Sequence, residues 1–268
     1  MVKNNKNIKG QAVLIVLLSL SVVLVVVMFI LSRSITDISL SSKEEDSMRA
    51  FSAAEAGIER ALVIGSDTGN QTIGDATFNA DVSSFAQATN NVVYPISLKS
   101  GEIASFWFTI AGDPTVFSGN QMKICWADDN ATDNPAIEVT VYYKTGAGAY
   151  QLYRKMLDPV AARTQNNVVP GNNCTIGADT FEYFNVVDLT GLTNLQFATT
   201  KILYNTTTAH KIGIDVSATA SLLPSQGSKI LSDGQFGSAN RRVEVFQLHP
   251  VAPPIFANAL FSASGIIK

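Results

Sequence analysis

The side chains with the widest chemical repertoire in this chain are two histidines and two cysteines: His210, His249, Cys125 and Cys174. A metal centre needs His, Cys or carboxylate ligands at short spacings, and a nucleophile needs a base within reach. His210 and His249 stand apart from each other and from both cysteines, and no G-x-S-x-G or phosphate-loop sequence occurs. The expectation is therefore two ordinary surface histidines, no catalytic residues, no metal ligands and no cofactor. One run, Asp128-Asp129-Asn130-Ala131-Thr132-Asp133-Asn134, offers oxygens that a calcium ion could use. It lacks the glycine and the terminal glutamate of an EF-hand, so a solvated loop is expected there. Cys125 and Cys174 are 49 positions apart, and a bridge between them would stabilise by about 3 to 4 kcal/mol in the chain-entropy account. Two buried thiols are the alternative, because Cys125 lies in an apolar stretch.

The elements that would position these groups follow from composition and patterning. Only 15% of the 268 residues are charged and the formal charge is −3, which excludes a charge-rich disordered chain and a basic nucleic-acid binder. Polar surface must come instead from 19 Asn, 21 Thr and 24 Ser, a composition suited to β-rich, turn-rich exterior proteins. Residues 11–32 carry no charge, and from Val22 to Leu31 every residue is apolar. As a helix this stretch reaches about 33 Å and can cross a hydrocarbon layer of roughly 30 Å. Lys3, Lys6 and Lys9 precede it without an acid, which places the N-terminus in the cytoplasm and the remainder outside as a single-pass protein. The apolar stretch runs into Leu31-Ser32-Arg33-Ser34 with no small-x-small cleavage site. Beyond it Ile35, Ile38, Met48, Phe51, Ile58 and Leu62 continue mostly at helical spacings, so one helix is expected from about Ala12 to Val63.

The short basic leader ending in Lys9-Gly10, the uncharged helix after it and its amphipathic continuation together resemble the class III signal of type IV prepilins. The segment Arg49-Ala50-Phe51-Ser52-Ala53-Ala54-Glu55-Ala56-Gly57-Ile58-Glu59 is similar to the "AFxAAEAGIE" segment of the PilX-type minor pilin family. The match covers about residues 8 to 64. The resemblance implies cleavage after Gly10 by a prepilin peptidase, methylation of Gln11, and extraction from the membrane into a filament with other pilin subunits and the pilus assembly machinery. It departs from the common pattern at Gln11, where Phe or Met is usual, and at Ile15, where Glu is usual. A missing carboxylate leaves a neighbour's N-terminal amine unpaired in an apolar core, so a minor, priming or tip subunit is implied rather than the bulk one. The competing expectation is an uncleaved, membrane-anchored surface protein whose β domain binds a ligand or adheres. Both readings give Ala53, Ala54, Ala56 and Gly57 one structural role, since small side chains let another element lie close to the helix.

Gly65, Gly69 and Gly74, with Asp67 and Asn70, predict a loop that ends the helix. Strands are expected at 76–82, 102–111, 122–127, 137–144, 149–157, 180–189, 195–205, 211–218 and 241–248. Ile212, Ile214 and Val216 alternate with Lys211, Gly213, Asp215 and Ser217, which predicts one buried and one polar face. Tyr143 to Ala149 reads as a hairpin loop. The expected fold class is α+β: a leader at 1–10, a transmembrane helix at 11–32, its amphipathic continuation at 33–64, and an exported antiparallel sheet or sandwich at 65–268, in one or two subdomains. Lys43, Glu44, Glu45, Asp46 and Arg49 form the charged cluster best placed to set register between subunits, against a solvated face. The apolar tail 251–261 reads as an edge strand or a partner-binding patch.

Overall fold

The computed structural model describes residues 9–163, 171–204 and 207–250, leaving aside the side chains of 9–12 and 172. The leader residues 1–8 and the tail 251–268, with the readings attached to them, lie outside the described residues. The chain has the expected α+β architecture. Helix α1 spans Lys9–Ile64 and is followed by β1 (Gln71–Ile73), β2 (Ala76–Phe85), β3 (Asn91–Val93), β4 (Ile103–Trp107), β5 (Gln121–Asp128), β6 (Ala136–Lys144) and β7 (Tyr150–Leu157). A 3-10 turn at Ala161–Arg163 precedes β8 (Gly171–Ile176), β9 (Asp179–Asp188), β10 (Leu195–Leu203), β11 (Ile212–Asp215), β12 (Gly227–Phe236) and β13 (Ala239–Leu248). Two compact units result, one formed by Met1–Asp81 with Leu231–Glu244 and the other by Val82–Ile230 with Val245–Lys268.

In the first unit α1 continues without a break for 56 residues, about 84 Å at 1.5 Å per residue. It stops where Gly65 takes a left-handed φ of 69° and its N–H returns to the Ala61 carbonyl at 2.8 Å, the bond of an αL cap. Ala50, Ala53, Ala54, Gly57, Ile58 and Ala61 are all buried, at spacings of three and four that keep them on one stripe. The stripe meets a sheet ordered β1-β2-β12-β13. The expected loop at 65–74 is in part a strand, because Gln71–Ile73 folds back on Ala76–Phe78 across the turn at Gly74.

The second unit is a β-sandwich. One sheet runs β4-β10-β6-β7 and the other β3-β11-β5-β9-β8, with antiparallel pairing between the neighbours whose register is known. Phe106, Val139, Val141, Ala198 and Ile202 of the first sheet share a core with Met122, Ile124, Trp126, Ile212 and Ile214 of the second. Several strands are shorter than their sequence patterns predict. Strand β4 stops at Trp107, β10 at Leu203 and β11 at Asp215, while β3, β8 and β12 were not expected at all. The alternation around Ile212 also needs correction. Gly213 is buried, and a Cβ there would lie 2.8 Å from Ile176 Cδ1, so the face expected to be polar carries a second small core. That core consists of Cys125, Cys174, Ile176 and Phe181.

Candidate functional site

The residues singled out in the sequence fall into three places. Gly10 and Gln11 lie in the first turns of α1. From Val13 to Glu45 every residue of the helix is exposed, a stretch of about 50 Å. Its length and apolar composition suffice to cross a membrane. Three hydroxyls within it bond back to the helix: Ser19 and Ser21 donate to Val16 O and Leu18 O at 2.9 and 2.8 Å, and Thr36 donates to Ser32 O at 3.0 Å. Hydroxyls bonded back to their own helix can sit in hydrocarbon without an orphaned donor.

The Phe51 to Gly57 motif divides between two faces. Ala53, Ala54 and Gly57 point into the sheet, Ala56 is half-buried, and Phe51 and Glu55 are exposed. A Cβ at Gly57 would overlap Ser232 Oγ and reach to 3.0 Å from Phe78 Cδ2, while one at Gly234 would overlap the backbone at Ala50 and Ala54. The helix therefore lies on β12 at a distance only glycine and alanine allow. Ala53, Ala76 and Phe78 form the core of this contact, with Ala56 and Phe236 against it. Of the charged cluster, Glu45 pairs with Arg49 at 2.6 Å on the surface, and the Arg49 guanidinium stacks 4.8 Å from the Phe236 ring centre. Asp46 lies beside the Gly237 turn, and Arg241 donates to Ser47 Oγ at 2.7 Å. A cavity of about 460 Å³ opens beside the same stretch, between Met48, Ser52 and Ala53 of the helix and Ile73, Asp75 and Phe236.

Cys125 and Cys174 are joined in a disulfide, with their Cα atoms 6.0 Å apart. The two cysteines stand on β5 and β8, which have β9 between them. In a flat sheet that separation is about 9.6 Å, so the sheet curls tightly here and brings its edge strand over its own outer face.

His210 corrects the expectation of an ordinary surface histidine. It is 2% exposed and held in a β-bridge to Leu98. Its Nε2 lies 2.8 and 2.9 Å from the two Asp133 oxygens, and the Asp128 backbone N–H reaches Nδ1 at 3.3 Å. Asp128 Oδ2 also lies 3.3 Å from Nδ1, so the ring is held between two aspartates. Both aspartates belong to the acid-rich run, so that run is anchored rather than simply solvated. Asn134 is fixed too, accepting from Tyr183 Oη at 2.5 Å and, through its carbonyl, from Arg163 at 2.6 Å. Burial and the neighbouring Glu182 carboxylate push the Tyr183 phenol above its ordinary pKa, which keeps it a donor. Among the described residues no three His, Cys, Asp or Glu side chains gather as a metal site. His249 packs edge-on against Trp107 at 6.0 Å and contacts Ser225 O at 3.2 Å. Sequence reasoning missed the His210 anchor because its partners are 77 and 82 positions away.

The features that bear on function are thus an uncovered apolar helix, a small-residue seam fixing its far end to a sheet, and a bridged β-sandwich. No family model, curated protein or solved structure matches this chain.

Proposed function

We propose that this chain is a minor, pilin-like subunit: held in a membrane by α1, cleaved after Gly10, and assembled through that helix into a filament that displays the β-rich part. The observation that supports this most is the division of labour along one unbroken helix. Its first half exposes apolar side chains all round, while its second half is fixed to a sheet through Ala50, Ala53, Ala54 and Gly57. A simple anchor needs about 20 residues and no rigid extension. A subunit whose helix passes from bilayer to filament core exchanges one apolar environment for another, and needs a fixed geometry between the helix and what it displays. Two features support an outward β-rich part: the lysines ahead of the helix, by the positive-inside rule, and the Cys125–Cys174 bridge, which suits an oxidising compartment. The function is assembly rather than catalysis.

The test is to express the chain with its prepilin peptidase, with and without Gly10→Val, and to read the N-terminus by mass spectrometry. An N-methylated Gln11 that vanishes in the variant supports the reading. An uncut terminus in both sinks it and leaves a permanently anchored surface protein with a β domain.

A further inference from the structure

The disulfide ties one sheet of the sandwich to itself, since β5 and β8 belong to the same sheet. A different pair of side chains spans the gap between the two sheets. Lys155 stands on β7, an edge strand of the β4-β10-β6-β7 sheet, and Asn185 stands on β9 of the other sheet. Lys155 Nζ donates to Asn185 Oδ1 at 3.0 Å and to the Val186 carbonyl at 3.2 Å.

Alternation along the strands brings this pair together on the inside. Tyr153 and Leu157 flank Lys155 at two positions on either side, Tyr183 and Val187 flank Asn185 in the same way, and all four pack in or against the sandwich core. The cross-strand neighbour of Lys155 is Val139 and that of Asn185 is Ile124, both fully buried. Burial there pushes the Lys155 amine below its ordinary pKa, against the opposing charge of Asp188, so more of it is the neutral, nucleophilic form. An inward-pointing lysine guards an edge strand against pairing with other chains, but that role asks for no partner. Here the amine is held against a carboxamide, whose carbon is an acyl centre.

We propose that Lys155 and Asn185 join in an intramolecular isopeptide bond that links the two sheets. The Lys155 nitrogen attacks the Asn185 Cγ and forms the new C–N bond. The tetrahedral adduct then collapses, the Cγ–Nδ2 bond breaks, and the old amide nitrogen leaves as ammonia with the proton that Nζ gives up. Nothing is oxidised or reduced, and no further reactant enters. Groups fixed side by side react as though present at concentrations on the order of 10⁵ to 10⁸ M. The bond is made once per molecule, so it need form only within the lifetime of the folded chain. It overlaps the Cys125–Cys174 bridge along the sequence, and the two links together fasten β5, β7, β8 and β9. The inference stands whether or not the chain is cleaved after Gly10 or enters a filament.

The test is the intact mass of the detergent-solubilised full chain, reduced and denatured, followed by tryptic mapping. Set beside Lys155→Arg, which cancels any change at the N-terminus, the native chain should be lighter by one ammonia after allowing for the substitution. The map should show no cleavage after Lys155 and a branched peptide that joins residues 155 and 185. Asn185→Asp should form the same link with loss of water in place of ammonia, and Asn185→Ala should form none. Should a variant fail to fold, the peptide map of the native chain decides alone. A native chain that is cleaved after Lys155, with that amine open to acetylation and no branched peptide, overturns the inference and leaves Lys155 as an edge guard.

Discussion

Gly234 lies beneath Ala54 so closely that a Cβ on the glycine would overlap the alanine's backbone nitrogen. The obstruction would be main chain, which cannot swing aside as a side-chain tip can. Helix and strand meet here backbone to backbone, and the alanines of the helix motif exist to permit it.

Replacing Gly234 with valine should therefore cost about 3 kcal/mol, the upper range of overpacking, or detach the helix from the sheet. Gly146→Ala is the control, because a Cβ there meets open space, and it should change stability by less than about 0.5 kcal/mol. Urea unfolding of both variants, followed by circular dichroism, decides the matter; equal midpoints would refute the close-contact account.

Breaking the Cys125–Cys174 bridge should lower stability by about 4 kcal/mol, the entropy of a loop of this length, and should loosen the small core around Ile176 and Phe181. Thermal melts of Cys125→Ser with Cys174→Ser, set beside the reduced native chain, check this. A melt unmoved by reduction would mean that the curl of the sheet holds without its bridge.

Changing His210 to alanine removes the ring that faces Asp133 and leaves that half-buried carboxylate without its contact. A loss of about 1 to 3 kcal/mol is expected, with proteolysis appearing first at residues 128–134. His210→Asn, which keeps a donor, should recover part of the stability. Mapping limited-proteolysis fragments of the two variants tests the anchor, and cleavage elsewhere would argue against it.

Asp113 joins two loops. Its carboxylate accepts from the backbone N–H groups of Ser225 and Thr115, both at 2.8 Å, and these bonds hold its pKa below the ordinary carboxylate value. A depressed folded pKa adds stability above the unfolded value, near 4, and that contribution disappears as pH falls through the folded value. Native chain and Asp113→Asn should thus differ in melting temperature at pH 7 and converge toward pH 2. A difference that stays constant across that range would exclude the carboxylate as its origin.

Much of this was legible in order of locality. The helix was predicted to end at Val63 and ends at Ile64, because its stop is written in one glycine with φ > 0. The motif glycine and alanines were readable as small residues awaiting a neighbour, but the neighbour was hidden. Strand β12, Gly227–Phe236, carries Gly234 and Ser232 where a strand pattern expects bulk, and the same close approach that makes it important removes its signature. Strands β1 and β3 are three residues each, too short for a period to show. His210 looked idle because burial and two aspartates reach it only through tertiary folding.

The bare stretch of α1 between Val13 and Glu45 also decides how the molecule behaves in a test tube. A greasy rod of this length recruits surfactant, or other rods, whatever happens in the sheets downstream. Full-length preparations will migrate as micelle-laden particles or rosettes, with apparent masses dominated by their passengers. A version starting near Lys43 keeps the entire buried stripe from Ala50 to Ala61 while shedding the rod. That shortened chain is the one to concentrate, label and crystallise.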